Sequence, residues 1–134
     1  MIVLDASVVV NLVGDDGAAG DTAREVARSS QNRIAVPDLV DVESVAVLRR
    51  RWLNNGLTAE RFRLAVEDLT ALPFQRFPAA PLMRRAYELR NNATPSDACY
   101  VALAEALLAT LVTADARLAN APGINCSIQL IRTP

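Results

Sequence analysis

At 134 residues the chain is sized for one domain, and 51% apolar with 22% charged residues is the ordinary balance of a globular fold. The formal charge of −1 conceals two absences: there is no histidine and no lysine, so all fourteen basic residues are arginine. This excludes imidazole acid–base chemistry, Ser-His-Asp and Cys-His nucleophiles, histidine metal ligands, the P-loop lysine and Schiff-base catalysis, and leaves titration near neutral pH mostly to carboxylates.

In chain order, residues 2–4 form an apolar run that stops at Asp5, the pattern of a short buried parallel strand. Ser7 then reads as the cap of a helical apolar segment, residues 8–13. Residues 14–20 are rich in Gly and Asp and read as a loop, followed by a helix over about 21–30. A second strand is predicted at 34–36. Pro37 and Asp38 then open a long helix to about Asn55, with Gly56 as its stop. Phe62, Ala65, Val66 and Leu69 have helical spacing within 58–72, and Thr58 suits its N-cap. A strand at 74–77 and a helix at 78–90 follow. Pro95 and Ser96 begin a helix that is apolar nearly all round, hence buried, and that ends at Ala109. Strands at 111–113 and 128–131 complete an α/β sandwich with a mostly parallel sheet, read as a single domain over 1–134. No internal repeat, low-complexity tract or long linker interrupts it.

Cys99 and Cys126 are far apart and form no CxxC pair, which argues against zinc or iron–sulfur ligation and fits a reduced, cytoplasmic setting. The N-terminus has no basic flank, and Asp5 interrupts its apolar run, so no signal peptide is expected. The apolar stretch 101–112 carries Glu105 and Thr110 and is too short to span a bilayer.

Among fifteen acids, four stand out by position. Asp5 follows the first strand directly, and Asp115 lies just past the fourth. Asp97 sits in the first turn of the apolar helix. Glu43 sits in the first two turns of the long helix, flanked by Val42, Val45, Ala46 and Val47. Carboxyl ends of parallel strands are where ligands bind in open sheets. Carboxylates crowded there repel one another unless protons or cations intervene, and Mg²⁺ or Mn²⁺ with all-oxygen ligation resolves the repulsion. Each acid also has an ordinary structural reading: Asp5 and Asp115 as helix caps, Asp97 as a complement to the helix dipole. Glu43 is the hardest to explain that way. Asp38 and Asp41 read as helix-start residues. Glu105 shares a face with Asp97 but lies about 12 Å along the axis, at the far rim.

These segments resemble a known family. IVLDASVVVNL, PDLVDVESVAVLRR, PSDACYVALAEAL and LVTAD stand in the order of the PIN domain and, more narrowly, of VapC-type toxins of bacterial toxin–antitoxin pairs. The resemblance covers nearly the whole chain. It implies a PIN-like three-layer sandwich with a five-stranded parallel sheet flanked by helices. It also implies a metal-dependent endoribonuclease that cuts structured RNA to inhibit translation and growth. The acid quartet carried over is Asp5, Glu43, Asp97 and Asp115, holding one or two Mg²⁺ or Mn²⁺ ions. Ser7 and Thr113 match hydroxyl residues that orient the site. Some relatives carry a further acid after the last, where this chain has Arg117 and Leu118.

The resemblance further implies a VapB-type antitoxin and hetero-oligomers with it, and homodimerisation. Trp52, Leu53 and the apolar positions of 57–72 are candidates for the antitoxin groove, or else for core or a dimer interface. Without the quartet, fourteen arginines face eleven acids, a balance of +3. Arg49, Arg50 and Arg51 on one helix and Arg84, Arg85 and Arg90 on another are candidates for RNA phosphates, or ordinary solvated faces. Six aromatics are too few for an extended base-stacking platform. Tyr100 and Val101 read as packing. The alternatives are a housekeeping PIN nuclease and a catalytically silent PIN binding module. A phosphatase or phospho-receiver is discounted, since no second aspartate lies two residues after Asp5 and lysine is absent.

Overall fold

The computed structural model describes residues 1–31 and 33–132. In chain order the elements are β1 (Ile2–Leu4), α1 (Ala6–Gly14), α2 (Ala18–Ser29), β2 (Ile34–Pro37), α3 (Val40–Leu53), α4 (Ala59–Ala71), β3 (Gln75–Phe77), a 3-10 turn (Ala80–Leu82), α5 (Met83–Glu88), α6 (Pro95–Leu107), β4 (Thr110–Thr113), α7 (Ala116–Ala119) and β5 (Ile128–Leu130). The five strands form one sheet in the order β3-β2-β1-β4-β5, and every pairing is parallel. The predicted α/β sandwich and its parallel sheet are therefore present. No helix among the described residues is long and apolar enough to cross a membrane.

The topology positions the site. From β1 the chain steps outward through β2 to β3, then returns across β1 to β4 and β5. Right-handed crossovers place the helices of the two directions on opposite faces. In keeping with this, α1 touches α2, α3 and α4, while α6 touches α5 and lies across β1, β2 and β4. The reversal of strand order falls between β1 and β4, so the crevice outside their carboxyl ends is the natural place for a ligand.

Burial explains the central elements. Val3, Leu4, Ala35, Val36, Leu111 and Val112 are wholly buried, as strands covered on both faces must be. Val8, Val9 and Val10 of α1 and the run from Ala98 to Ala104 of α6 clamp the sheet from its two sides. Each fully buried Val or Leu contributes about 1.5–3 kcal/mol by leaving water.

Several element starts differ from expectation. Asp5, not Ser7, is the N-cap of α1: its carboxylate accepts from the Val8 N–H, and Ser7 lies inside the helix. The long helix begins at Val40 rather than at Pro37, because β2 continues through Pro37 and the Asp38 N–H donates to the Phe77 carbonyl. Asp38 accepts from the Ala79 N–H instead of capping α3, and Asp41 pairs with Arg76 beside β3. The helix expected over 78–90 divides into the 3-10 turn, with Pro81 at its start, and α5. Helix α2 begins at Ala18, inside the expected loop. Thr58 caps α4 as expected, by accepting from the Arg61 N–H.

Helix α6 ends at Leu108 in the left-handed conformation, φ 53°, with the side chain 95% exposed. An L-residue there costs roughly 1–2 kcal/mol, and this leucine recovers nothing by burial. Leu108→Gly is expected to stabilise the protein by about 0.5–1 kcal/mol after glycine's own entropy cost, read as a higher denaturation midpoint in urea.

Candidate active site

Asp5 leaves the end of β1 and is 4% exposed. Its two oxygens are held by hydroxyls from different parts of the chain: Ser7 donates to Oδ1 at 2.5 Å and Thr113, at the end of β4, to Oδ2. The same two hydroxyl oxygens accept backbone N–H groups, Ala114 onto Ser7 at 3.1 Å and Asp115 onto Thr113 at 3.0 Å. The carboxylate is thereby locked to the segment leading into α7. Burial pushes the Asp5 carboxyl above the usual carboxylate range. The hydroxyl and Val8 N–H bonds oppose that rise, and the charge of Asp97 adds to it.

Asp97 lies in the first turn of α6, which is capped by Thr94 and opened by Pro95. It too is raised, by burial first, with the neighbouring Asp115 charge adding and Arg117 opposing. Asp115 caps α7 by accepting the Arg117 N–H at 2.9 Å. The Arg117 guanidinium reaches both acids, Asp97 at 3.3 Å and Asp115 at 3.4 Å, while staying 75% exposed. Glu43 is half-buried on α3, and its Oε1 accepts from the Tyr100 hydroxyl at 2.6 Å. Tyr100 is 1% exposed and feels the charges of Glu43, Asp5 and Asp97. Its phenol, expected only to pack, ties α6 to α3.

The acids of the fold divide by what satisfies them. Asp41 is gripped by Arg76, and Glu105 by both nitrogens of an Arg85 fork that also bonds the Gly123 carbonyl. Asp16, Asp21, Glu25, Glu60, Glu67 and Glu88 likewise have arginine partners. Asp5 and Glu43 instead receive neutral hydroxyls, and Asp97 and Asp115 share one exposed arginine. An arginine fork cancels a carboxylate's charge, whereas a hydroxyl donor orients the carboxylate and leaves the charge in place. Asp15, Asp38 and Asp68 also lack an arginine ion pair among the described residues, so the acids at the ends of β1 and β4 are distinguished by their hydroxyl donors and shared arginine rather than by being the sole uncancelled charges.

The donor set suits a hard cation: it is all oxygen, and its buried member is raised by burial and by a like charge. It is not a closed cage, because the described residues contain no cluster of three or more His, Cys, Asp or Glu side chains poised to hold an ion. The N-terminal ends of α1 and α6 add partial positive charge at the same edge.

The arginines part company. Arg49, Arg50 and Arg84 are exposed, and none has an ion-pair partner among the described residues. Arg85 does not remain available for phosphate, because Glu105, Glu88 and the Gly123 carbonyl occupy it and join α5 and α6 to the loop before β5. Arg51 reaches Asn11 instead. Glu105 stands at the far rim, as its spacing from Asp97 implies. Arg117 and the Tyr100 hydroxyl reach the acids although no motif in the sequence marks them for the site. The available signal was spacing, for Tyr100 is one helical turn beyond Asp97 and Arg117 two residues past Asp115. Trp52 and Leu53 stay 40% and 51% exposed, with Trp52 against Phe62 at 6.1 Å between ring centres. Cys99 and Cys126 are unbonded thiols.

Comparison with known proteins gives a consistent picture. The PIN domain family profile matches residues 2–124. Ribonuclease VapC1 of Mycobacterium tuberculosis is 40% identical over 131 residues, 97% of each chain. Ribonuclease VapC12 of the same organism is 37% identical over 98% of this chain and 99% of its own. Among solved structures, M. tuberculosis VapC20, described as a sarcin–ricin-loop-cleaving toxin, superposes with a TM-score of 0.70. That match is 17% identical and covers 93% of this chain and 97% of that one, so it speaks to the fold.

Proposed function

The chain belongs to the PIN-domain family, among the VapC ribonucleases, and from that premise we propose that it is an endoribonuclease toxin hydrolysing structured RNA at a divalent-metal centre. We read residues 1–134 as a single PIN domain, with Asp5, Glu43, Asp97 and Asp115 holding one or two Mg²⁺ or Mn²⁺ ions. The observation that supports the reading is the setting of the quartet, in which Asp5 and Glu43 are oriented by hydroxyls and Asp97 and Asp115 share a single exposed arginine, whereas Asp41 and Glu105 are gripped by arginine forks.

A bound divalent cation supplies activation of water and neutralisation of charge developing on the phosphate, work that histidine performs elsewhere. The chain's own residues do the rest. Ser7 and Thr113 hold Asp5 in one orientation and couple it to the Asp115 segment. The Arg117 contacts are long and solvent-exposed, so they hold weakly and yield to a stronger cation. Exposed Arg49, Arg50 and Arg84 are the candidates for holding RNA phosphates, with the first turns of α1 and α6 adding partial positive charge. Lacking histidine, the site has no imidazole pair for cleavage through a 2′,3′-cyclic phosphate.

A VapB-type antitoxin fits as the restraining partner, with Trp52, Leu53 and Leu64 as its exposed apolar footing at the α3–α4 corner. Homodimerisation and hetero-oligomers with the antitoxin are part of the same reading, as is action in the cytoplasm on tRNA, rRNA or mRNA.

The test is cleavage of a structured RNA with Mg²⁺ or Mn²⁺, in chelator, and after restoring the ion. Cleavage lost in chelator and regained with metal, leaving 3′-hydroxyl and 5′-phosphate ends, is expected. Undiminished cleavage in chelator, or 3′-phosphate ends, overturns the mechanism.

A further inference from the structure

We propose that Tyr100 is a positioning residue for the carboxylate centre: its phenol fixes the Glu43 carboxylate and leaves the negative charge of that carboxylate available to a divalent cation. This rests on the reading of Glu43 as part of the cation site.

Glu43 differs from the other three acids of the quartet. Asp5 and Asp115 are helix caps whose carboxylates accept backbone N–H groups, and Asp97 shares the Arg117 guanidinium with Asp115. Glu43 projects from α3 on a side chain with three rotatable bonds, flanked by the 76%-exposed Val42 and the buried Ser44. Among the described residues its carboxylate takes a hydrogen bond from Tyr100 alone, at Oε1, and no cation pairs with it. Without that bond nothing there selects one rotamer, and ordering a free glutamate side chain costs entropy on the scale of a weak interaction.

Tyr100 is built for the task. It is among the largest fully buried side chains, its ring held in the core, and its hydroxyl is the group that reaches out of it. It lies three residues after Asp97 on α6, so one helical face brings an acid and a phenol to the same crevice. The hydroxyl meets Glu43 from 57 residues away in sequence and from a different helix. A neutral phenol O–H donating to Oε1 orients the carboxylate without cancelling its charge. An arginine at this place, as at Asp41 and Glu105, would cancel the charge that a cation needs. Hydroxyls do the same for Asp5, which shows the device used twice in one site.

The experiment titrates Mn²⁺ into the metal-free wild type, Tyr100→Phe, Glu43→Gln and the double variant, counting free ion by electron paramagnetic resonance beside thermal melts. Groups that orient a metal-holding side chain are worth about 10- to 100-fold in metal affinity. Tyr100→Phe is expected to bind Mn²⁺ at least about 10-fold more weakly than wild type, with its melting temperature little changed, and to add nothing on the Glu43→Gln background. Wild-type affinity in Tyr100→Phe, or an equal loss on both backgrounds, overturns the proposal. If Glu43→Gln itself binds Mn²⁺ as wild type does, the role of Glu43 falls, and the proposal with it. If Glu43→Gln is weakened while Tyr100→Phe is not, only Tyr100 loses its role.

A second readout uses the fact that Tyr87 and Tyr100 are the only tyrosines. Mg²⁺ is spectroscopically silent, so a tyrosine ultraviolet difference band on its addition reports a changed phenol hydrogen bond. The band is expected in wild type and in Tyr87→Phe and absent in Tyr100→Phe. No band in wild type or in Tyr87→Phe at saturating Mg²⁺ overturns the proposal even if Tyr100→Phe fails to fold.

Discussion

Asp5→Asn is expected to abolish RNA cleavage while making the metal-free protein more stable. The loss should be at least about 100-fold, since even groups that merely orient metal-holding side chains cost 10- to 100-fold. The gain follows from where Asp5 sits. A carboxylate 4% exposed beside Asp97 is ionised against both desolvation and a like charge. Asparagine keeps the acceptor and the shape, can donate to the Ser7 or Thr113 oxygen, and carries no charge. The change is worth about 1 kcal/mol, a melting temperature higher by roughly 3–5 °C in chelator. Wild-type cleavage by Asp5→Asn, or a lower melting temperature, contradicts this account.

The same residues set the pH response, and the sign follows from the direction of the shifts. Asp5 and Asp97 have folded-state carboxyls raised above their unfolded values, so their ionised forms oppose folding. As pH falls through those raised values the penalty is removed, and the metal-free protein gains stability. Further down, carboxyls held low by arginine, Asp16 and Glu60 among them, become protonated and the fold loses stability. A stability maximum on the acid side of neutrality is therefore expected in chelator. Saturating Mg²⁺ should abolish it, because a cation bound to the carboxylates reverses the preference for the protonated forms. Urea midpoints measured across pH, with and without Mg²⁺, check both statements.

Gly20→Ala is expected to cost about 3 kcal/mol or more. A Cβ at Gly20 would lie 1.8 Å from the Asp15 carbonyl oxygen and 2.7 Å from its carbon. Those are backbone atoms just past the end of α1, so no side-chain rotation relieves the overlap. The Gly20 N–H also donates to the Asp15 carboxylate at 3.1 Å. Relief requires α1 and α2 to separate, and α1 carries the Asp5 cap at its other end. Gly17→Ala is the matched control: its Cβ would meet only the Asp15 Oδ1 at 3.3 Å, and the loss should stay below about 1 kcal/mol. Urea denaturation of the two variants side by side decides the matter, and equal losses would show that the close approach at Gly20 is not the cause.

Gly20 also shows where reading by pattern stops. Residues 14–20 look like a loop because Gly and Asp break helices, yet α2 already runs from Ala18. A glycine inside a helix costs about 1 kcal/mol in propensity, and the reason for it, a neighbouring helix end at contact distance, is a tertiary fact. Asp5 shows the converse. Its ordinary reading as a helix cap and its reading as a site acid are both compatible with the geometry, since one oxygen accepts the Val8 N–H while both accept hydroxyls.

Local rules govern everything that can be read directly along the chain. Apolar runs ending in acids mark parallel strands and their carboxyl ends, helical spacing marks α4, a Pro-Ser start with all-round apolarity marks α6, and the absence of histidine and lysine confines the chemistry to carboxylates and arginine. The four acids stand out in the sequence because each follows a strand end or lies in an early helical turn. Which charges are cancelled and which are left depends on contacts between distant segments. Arg85 is spent on Glu105, 20 residues away, Thr113 reaches Asp5 across 108 residues, and the Tyr100 hydroxyl finds Glu43 across 57. Periodicity and propensity act within a few turns of chain, whereas a hydrogen bond or ion pair depends on which surfaces the fold brings together.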